Sequence, residues 1–383
     1  AHDKLAKLLA HDEIRERRTS TFHILVVLLS FAMTISAWLY SRNQVATQTQ
    51  ERFNDARDRT ISLIQDRMSR YEDALWSGVA HVDARQGRVP IDDWQVFSKS
   101  LHIEEKYPGV NGIGIIKQVP RSELPAFMAE RAAENRDFRI YPDHEFDVLL
   151  PITFIEPVAA NAAAVGLDVA HEVNRRTALN ASRDTAKAQI TGPIFLVQDA
   201  ESTPGFLFYA PFYTDGTAPM TVQDRQARFA GVVYAPFVVR NLVAGLLSKE
   251  NRLVRFSLRD GDQLIYDEHD RDEPLYDANP MFTDTVELDM YGRKWNVEVK
   301  TNLAFRAQNG SDQSLLILAG GLIIEILVIS LLIILTRSRQ EIHQHATQLT
   351  HKLREKSEHL EQLNAEIEQF VYIASHDLKT PAR

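Results

Sequence analysis

The sequence predicts an α+β protein held in a membrane by two helices, and three observations carry that expectation. Two apolar stretches, residues 21–40 and 314–336, are each long enough to cross a bilayer as a helix. Between them runs a long helical pattern, followed by short strands separated by turn residues. After the second stretch, apolar residues recur in steps of four and three, the spacing of a coiled-coil seam.

Length and composition bound the rest. With 383 residues, the chain exceeds one compact domain. The formal net charge of -9 leaves no basic surplus, so nucleic acid is not an expected partner. There are no cysteines, which excludes disulfides, thiolate metal sites and thiol nucleophiles. The 13 histidines show no HExxH spacing, so no metal site is expected, and no GxGxxG or Walker-type loop occurs. Nothing in the chain is expected to hold ATP.

The first apolar stretch reads TFHILVVLLSFAMTISAWLY, without Asp, Glu, Lys or Arg. Arg15, Arg17 and Arg18 precede it, and Trp38 and Tyr40 close it, as aromatic residues do at a headgroup layer. A cleaved signal peptide has a shorter apolar region ending in small residues, so a retained anchor is expected. The second stretch, SLLILAGGLIIEILVISLLIILT, is followed by Arg337 and Arg339. Basic residues thus flank the outer end of each span. The positive-inside rule then places residues 1–20 and 337–383 in the cytoplasm and 41–313 outside, as in a multi-pass inner-membrane protein. Glu325 sits in the middle of the second span, where a charged side chain costs about 2.5–3.5 kcal/mol on insertion scales. It is either a contact between helices of a dimer, with Ser36 or Thr34 as partner, or a protonated residue facing the bundle.

In the outer segment, Phe53, Ile61, Ile64, Met68, Tyr71, Leu75 and Val79 share one helical face, so residues 41–87 are expected as one long helix. Such a helix either carries motion toward the membrane or only packs under the domain above it. From residue 88 the pattern changes to strands. VNGIGIIKQVP, GFLFYAPFY and GVVYAPF are β-rich, and ELPAFMAERAAEN and VVRNLVAGLL are helical. Two hairpins follow, turning at Asp260-Gly261-Asp262 and at Tyr291-Gly292. The expected division is a first strand-and-helix module over 88–228 and a second over 229–313, each similar to a PAS domain.

The stretch EPVAANAAAVGLDVAHEVNRRTALNASRDTAKAQITGPIFLVQ, followed by GFLFYAPFY and GVVYAPFVVRNLVAGLL, resembles a CHASE domain. Glu156-Pro157, Asn161, Gly166, Asp168, Arg175, Asp184-Thr185, Thr191, Gly205 and Gly231 carry the resemblance, which covers residues 80–300. CHASE domains are the extracellular sensors of plant cytokinin receptors and of many bacterial kinases and cyclases. The resemblance implies a long N-terminal helix with tandem PAS-like subdomains and a small ligand in the membrane-distal one. It implies a pocket lined by Thr191, Gly192, Pro193, Phe206, Phe208 and Tyr209, with Asn174 and Arg175 beside it. The plant receptors have an Asp, which bonds the adenine ring, where this chain has Asn174. An amide lacks the carboxylate's charge-assisted bond, so the expected ligand is small and of open identity, adenine-like molecules included. Equally, the strand aromatics can be core, and Glu156, Asp168 and Arg175 can form a structural ion-pair network.

In the tail, Ile342, Ala346, Leu349, Leu353, Lys356, Leu360, Leu363, Ile367, Phe370 and Ala374 form the seam. It predicts a parallel homodimer over 337–369, unless the helix stands alone. The seam leads into FVYIASHDLKTP, which resembles the H-box of histidine kinases over 370–383. The resemblance implies His376 as phosphoacceptor, Asp377 as the residue that orients its ring, and Pro381 as a helix bend. Imidazole suits the role, being a good nucleophile near neutral pH. ATP with Mg is then expected in a domain beyond Arg383, and a response regulator as partner. A membrane sensor kinase is the reading these motifs favour. A nucleotide cyclase or a non-enzymatic adaptor under the same sensor is the alternative.

Overall fold

No proline or glycine interrupts residues 1–77, and in the computed structural model this stretch forms one helix, α1 (His2–Ala84). The structure describes residues 2–134, 137–197, 203–244, 246, 252–268, 275–310 and 312–377. It divides into two units, residues 48–310 and residues 1–47 together with 311–383.

In the unit of residues 48–310, the last part of α1 presents Phe53, Ile64, Met68, Tyr71, Leu75, Val79 and Val82 to the core. This is the face its three-and-four spacing marks out. The helix gives way to Gln86 and Gly87, both at positive φ, and then to Pro90. Helices α2 (Ile91–Ser100) and α3 (Ile103–Lys106) follow, with Trp94 fully buried and its indole N–H on the Ile113 carbonyl at 3.2 Å.

Strand β1 (Ile113–Lys117) and the short β2 (Val119–Pro120) precede α4 (Leu124–Ala133). Then come β3 (Val148–Leu149), β4 (Ile152–Glu156), α5 (Val158–Asn161), α6 (Val173–Thr185), β5 (Gln189–Ile190) and β6 (Ile194–Phe195). Strand β7 (Pro204–Tyr213) is joined to β8 (Phe229–Val238) through α7 (Val222–Arg228). These strands make an antiparallel sheet in the order β4-β1-β8-β7-β5, with β6 also on β7, while β2 and β3 pair separately. After the short α8 (Val239–Val243) come β9 (Val254–Asp260), β10 (Gln263–Asp267), β11 (Thr283–Met290) and β12 (Arg293–Thr301). They form a second antiparallel sheet, ordered β10-β9-β12-β11, and α9 (Leu303–Gln308) follows.

The boundary expected between residues 228 and 229 is not where the sheets divide. Strand β8, expected to open the second module, lies in the middle of the first sheet between β1 and β7. The polar stretch before it is a strand connection, α7, capped by Thr221, whose hydroxyl accepts the Asp224 N–H at 3.1 Å. The helix expected from VVRNLVAGLL is only the five-residue α8 among the described residues.

The first sheet is buried on both faces, which is why its strands read as continuous apolar runs rather than alternating ones. On one face Phe206, Phe208, Ala210, Phe212, Val233, Ala235 and Phe237 join α1 and the second sheet in one core. On the other, Leu207, Tyr209, Tyr213, Val232, Tyr234 and Val238 lie under α6 with Ala178 and Leu179. Burying one such large apolar side chain contributes about 1.5–3 kcal/mol.

In the other unit, α10 (Asp312–Asp377) carries the second apolar stretch and packs beside the apolar part of α1. Both helices are long and apolar enough to cross a membrane. On α10, the covered positions Ser314, Leu318, Gly321, Glu325, Val328 and Leu332 follow one another at steps of four and three, with Gly320 beside them. Gly321 lets the helices close up: a Cβ there would lie 2.2 Å from the Thr34 methyl carbon. Small residues at such contacts are how membrane helices approach each other. Glu325 is buried in this stripe, and neither carboxyl oxygen has a hydrogen-bond partner among the described residues. Ser36 is exposed, whereas Thr34 faces α10.

Candidate functional site

Beneath α6, the first sheet encloses a group of polar side chains. Glu172 caps α6 by accepting the N–H groups of Asn174 and Arg175 at 2.9 and 2.8 Å. This anchors the first turn, and the helix then places Arg175 inward, 5% exposed. The guanidinium donates through Nη2 to the Phe195 carbonyl at 3.2 Å and stands 4.0 Å from the Glu172 carboxylate, while its Nε has no acceptor.

Two tyrosines from neighbouring strands share the same interior. Tyr209 on β7 and Tyr234 on β8 are paired across the ladder. Both are fully buried, and neither hydroxyl has a partner among the described residues. Burial pushes both phenols well above their ordinary range, with the Arg175 charge opposing. They are therefore neutral hydroxyls, able both to donate and to accept. Buried polar atoms are nearly always satisfied, so three such orphans beneath one helix set this interior apart from the rest of the core.

Neighbouring residues hold this place in shape. Thr191 is fully buried and its hydroxyl accepts the Leu207 N–H at 3.1 Å. Asn174 is exposed and reaches the Pro193 carbonyl at 3.4 Å, with its amide against Gly192. Asp168 accepts the N–H groups of Leu150 and Ala170 at 3.0 and 2.9 Å, and meets His144 Nε2 at 2.8 Å. It therefore ties the loop over the site to its frame. Gly166, at φ 84, belongs to that frame, since a Cβ would lie 1.8 Å from the Arg139 carbonyl oxygen. Tyr141 donates its hydroxyl to the Ala163 carbonyl, and Asn161 binds the Asn111 and Pro157 carbonyls at 2.8 and 2.9 Å.

The eight residues expected to line a pocket thus fall on two faces of β7. Arg175 and Tyr209 meet beneath α6, and Asn174, Thr191, Gly192 and Pro193 border them. Phe206 and Phe208 point the other way, because side chains alternate along a strand. Phe206 stacks on Phe237 and packs on Trp295, with ring centroids 5.5 and 5.4 Å apart, and Phe208 meets Tyr291. Tyr234, Tyr141 and His144 were not anticipated. The lone tyrosine in GVVYAPF was the available signal for Tyr234.

Comparison with known proteins finds a family that matches the middle of the chain. The family model for the CHASE domain matches residues 87–276. The chain carries a CHASE domain. A curated relative, the hybrid signal transduction histidine kinase A of Dictyostelium discoideum, is 24% identical over 174 residues, covering 41% of this chain. The match spans only 8% of that relative's length. The CHASE match takes in the whole first sheet, the polar cluster and the start of the second sheet. A sensor role in signal transduction follows.

His376 and Asp377 are the last two residues of α10, and Pro381 lies outside the described residues. Helix α10 runs from the second apolar stretch to His376 without interruption.

Proposed function

We propose that this chain is the sensing portion of a membrane-anchored, homodimeric histidine kinase, and that its CHASE domain controls phosphorylation of His376. The observation that carries this reading is α10: one helix joins an apolar membrane-length stretch, a heptad-spaced segment and an H-box-like sequence. The CHASE domain between the two apolar stretches and the likeness to a histidine kinase support it. Residues 41–313 lie on the extracytoplasmic side, residues 1–20 and 337–383 lie in the cytoplasm, and a response regulator receives the phosphoryl group.

A small ligand binds beneath α6, where Arg175 Nε and the Tyr209 and Tyr234 hydroxyls are buried without partners among the described residues. Those groups fit a molecule offering an acceptor to the guanidinium and a donor or acceptor to the phenols, as an adenine-like ring does. It acts by binding one of two sensor states more tightly than the other. ATP with Mg supplies the phosphoryl group from a domain outside this chain, and no residue here is assigned to it.

In the longer protein that this reading requires, membrane vesicles given radiolabelled ATP are expected to gain acid-labile, base-stable label, which His376→Gln abolishes. Label that survives the substitution defeats the assignment of His376. A protein whose remaining sequence encodes a cyclase defeats the kinase reading.

A further inference from the structure

We propose that a crevice between α1 and the residues joining β7 to β8 binds a small organic ammonium ion. The crevice holds about 280 Å³ and is lined by Trp76, Val79, Asp83, Phe212, Tyr213 and Gly216, among others. It shares no residue with the Arg175–Tyr209–Tyr234 cluster and goes beyond the sensor reading.

Asp83 gives the crevice its chemistry. Its carboxylate is half-buried and has no hydrogen bond or ion pair to another side chain among the described residues. Burial alone holds its carboxyl above the ordinary range, with no neighbouring charge contributing. The basic groups nearest the Tyr213 wall are already engaged. Arg183 pairs with Asp184 at 2.7 Å, and Arg225 donates to the Pro219, Met220 and Asp184 carbonyls. The Tyr213 hydroxyl donates to the Arg183 carbonyl at 2.7 Å. Gly216, at φ 72, borders Asp83 closely: a Cβ there would stand 3.6 Å from the Asp83 side chain, at ordinary contact distance.

The remaining surface selects the cation. A half-buried carboxylate without a partner carries a desolvation cost that an arriving cation offsets. A bare divalent metal needs several oxygen ligands, and this crevice offers one carboxylate and the Thr217 side chain among mainly aromatic and aliphatic walls. An ammonium on an organic body satisfies both parts: its charge meets Asp83, and its apolar body lies against the partly exposed Trp76 and the edges of Val79 and Phe212. Trp76 adds an aromatic face of the kind cations favour.

The test is calorimetric titration of the whole chain in lipid nanodiscs with phenethylammonium and with choline. Saturable binding of at least one probe is expected, weakened about tenfold or more by Asp83→Asn, which removes a charge-assisted contact. Ala80→Leu, which fills the crevice and leaves the carboxylate intact, is expected to weaken it equally. It decides the matter if Asp83→Asn fails to fold. Absence of saturable binding by the unaltered chain, or binding unchanged in the folded variants, overturns the proposal.

Discussion

Tyr209 and Tyr234 each bury a hydroxyl that finds no partner among the described residues, a state that costs about 1–3 kcal/mol per group. Neither hydroxyl then holds the ligand-free fold together. Tyr209→Phe is expected to leave the unfolding free energy unchanged or to raise it by up to about 1 kcal/mol, as read by chemical denaturation. A loss larger than that would falsify the view of Tyr209 as a recognition group. His81 makes a second residue-scale prediction. Its ring stacks on Phe97 at 4.7 Å, and burial, then the Arg85 charge, holds its pKa below the ordinary 6.5 while Asp93 opposes. The unfolded chain therefore takes up the proton first as pH falls. The stabilising contribution is fully present above about pH 6.5 and is lost as pH drops through the lower folded value. Melting temperatures measured through that window should decline, and His81→Gln should flatten the decline. An unchanged slope in that variant assigns the effect elsewhere.

At the scale of elements, the β11–β12 hairpin joins the parts of the sensor. Its turn residue Tyr291, at φ 45, accepts the Ile190 N–H through its carbonyl at 3.0 Å. The Tyr291 ring meets Phe208 at 4.5 Å, and Glu72 on α1 lies close enough to help raise the pKa of its hydroxyl, after burial. One residue of the second sheet thus touches the first sheet and lies near the long helix. A non-glycine residue at positive φ costs about 1–3 kcal/mol, and it persists only where its surroundings hold it. Tyr291→Ala is expected to speed amide exchange at Ile190 while the central strands β9 and β12 stay protected. Equal loss of protection throughout the unit would mean that Tyr291 supports the whole core rather than this joint. The hairpin itself was legible from alternating residues around Tyr291-Gly292. What its tip touches was not, because those partners are far away in sequence.

For the whole molecule, the seam on α10 is the open question of assembly. Ile342, Leu349, Leu353, Leu360, Leu363 and Ile367 are all exposed in the single chain, and a row of apolar residues on a heptad spacing calls for a matching helix. The sequence has no cysteine, so an introduced one reports cleanly. Leu353→Cys is expected to cross-link two copies under mild oxidation, and Lys352→Cys, off the seam, much less. Equal cross-linking at both positions, or none at either, removes the parallel dimer from the reading.

Local pattern was enough to place both apolar helices, the buried face of α1 and the two hairpins. Each of these is written in residues a few positions apart, which is the range over which helical and strand periodicity act. The family resemblance was likewise carried by short motifs in order along the chain. Sheet membership was not local: β8 joins β1 across more than a hundred residues, and so an expected module boundary became a strand connection. The same long-range pairing brought Arg175, Tyr209 and Tyr234 together and turned Phe206 and Phe208 away from them. It also set Asp83 into a crevice. A strand of residues apolar on both faces does not announce which face meets which neighbour; packing settles that, and packing makes the site.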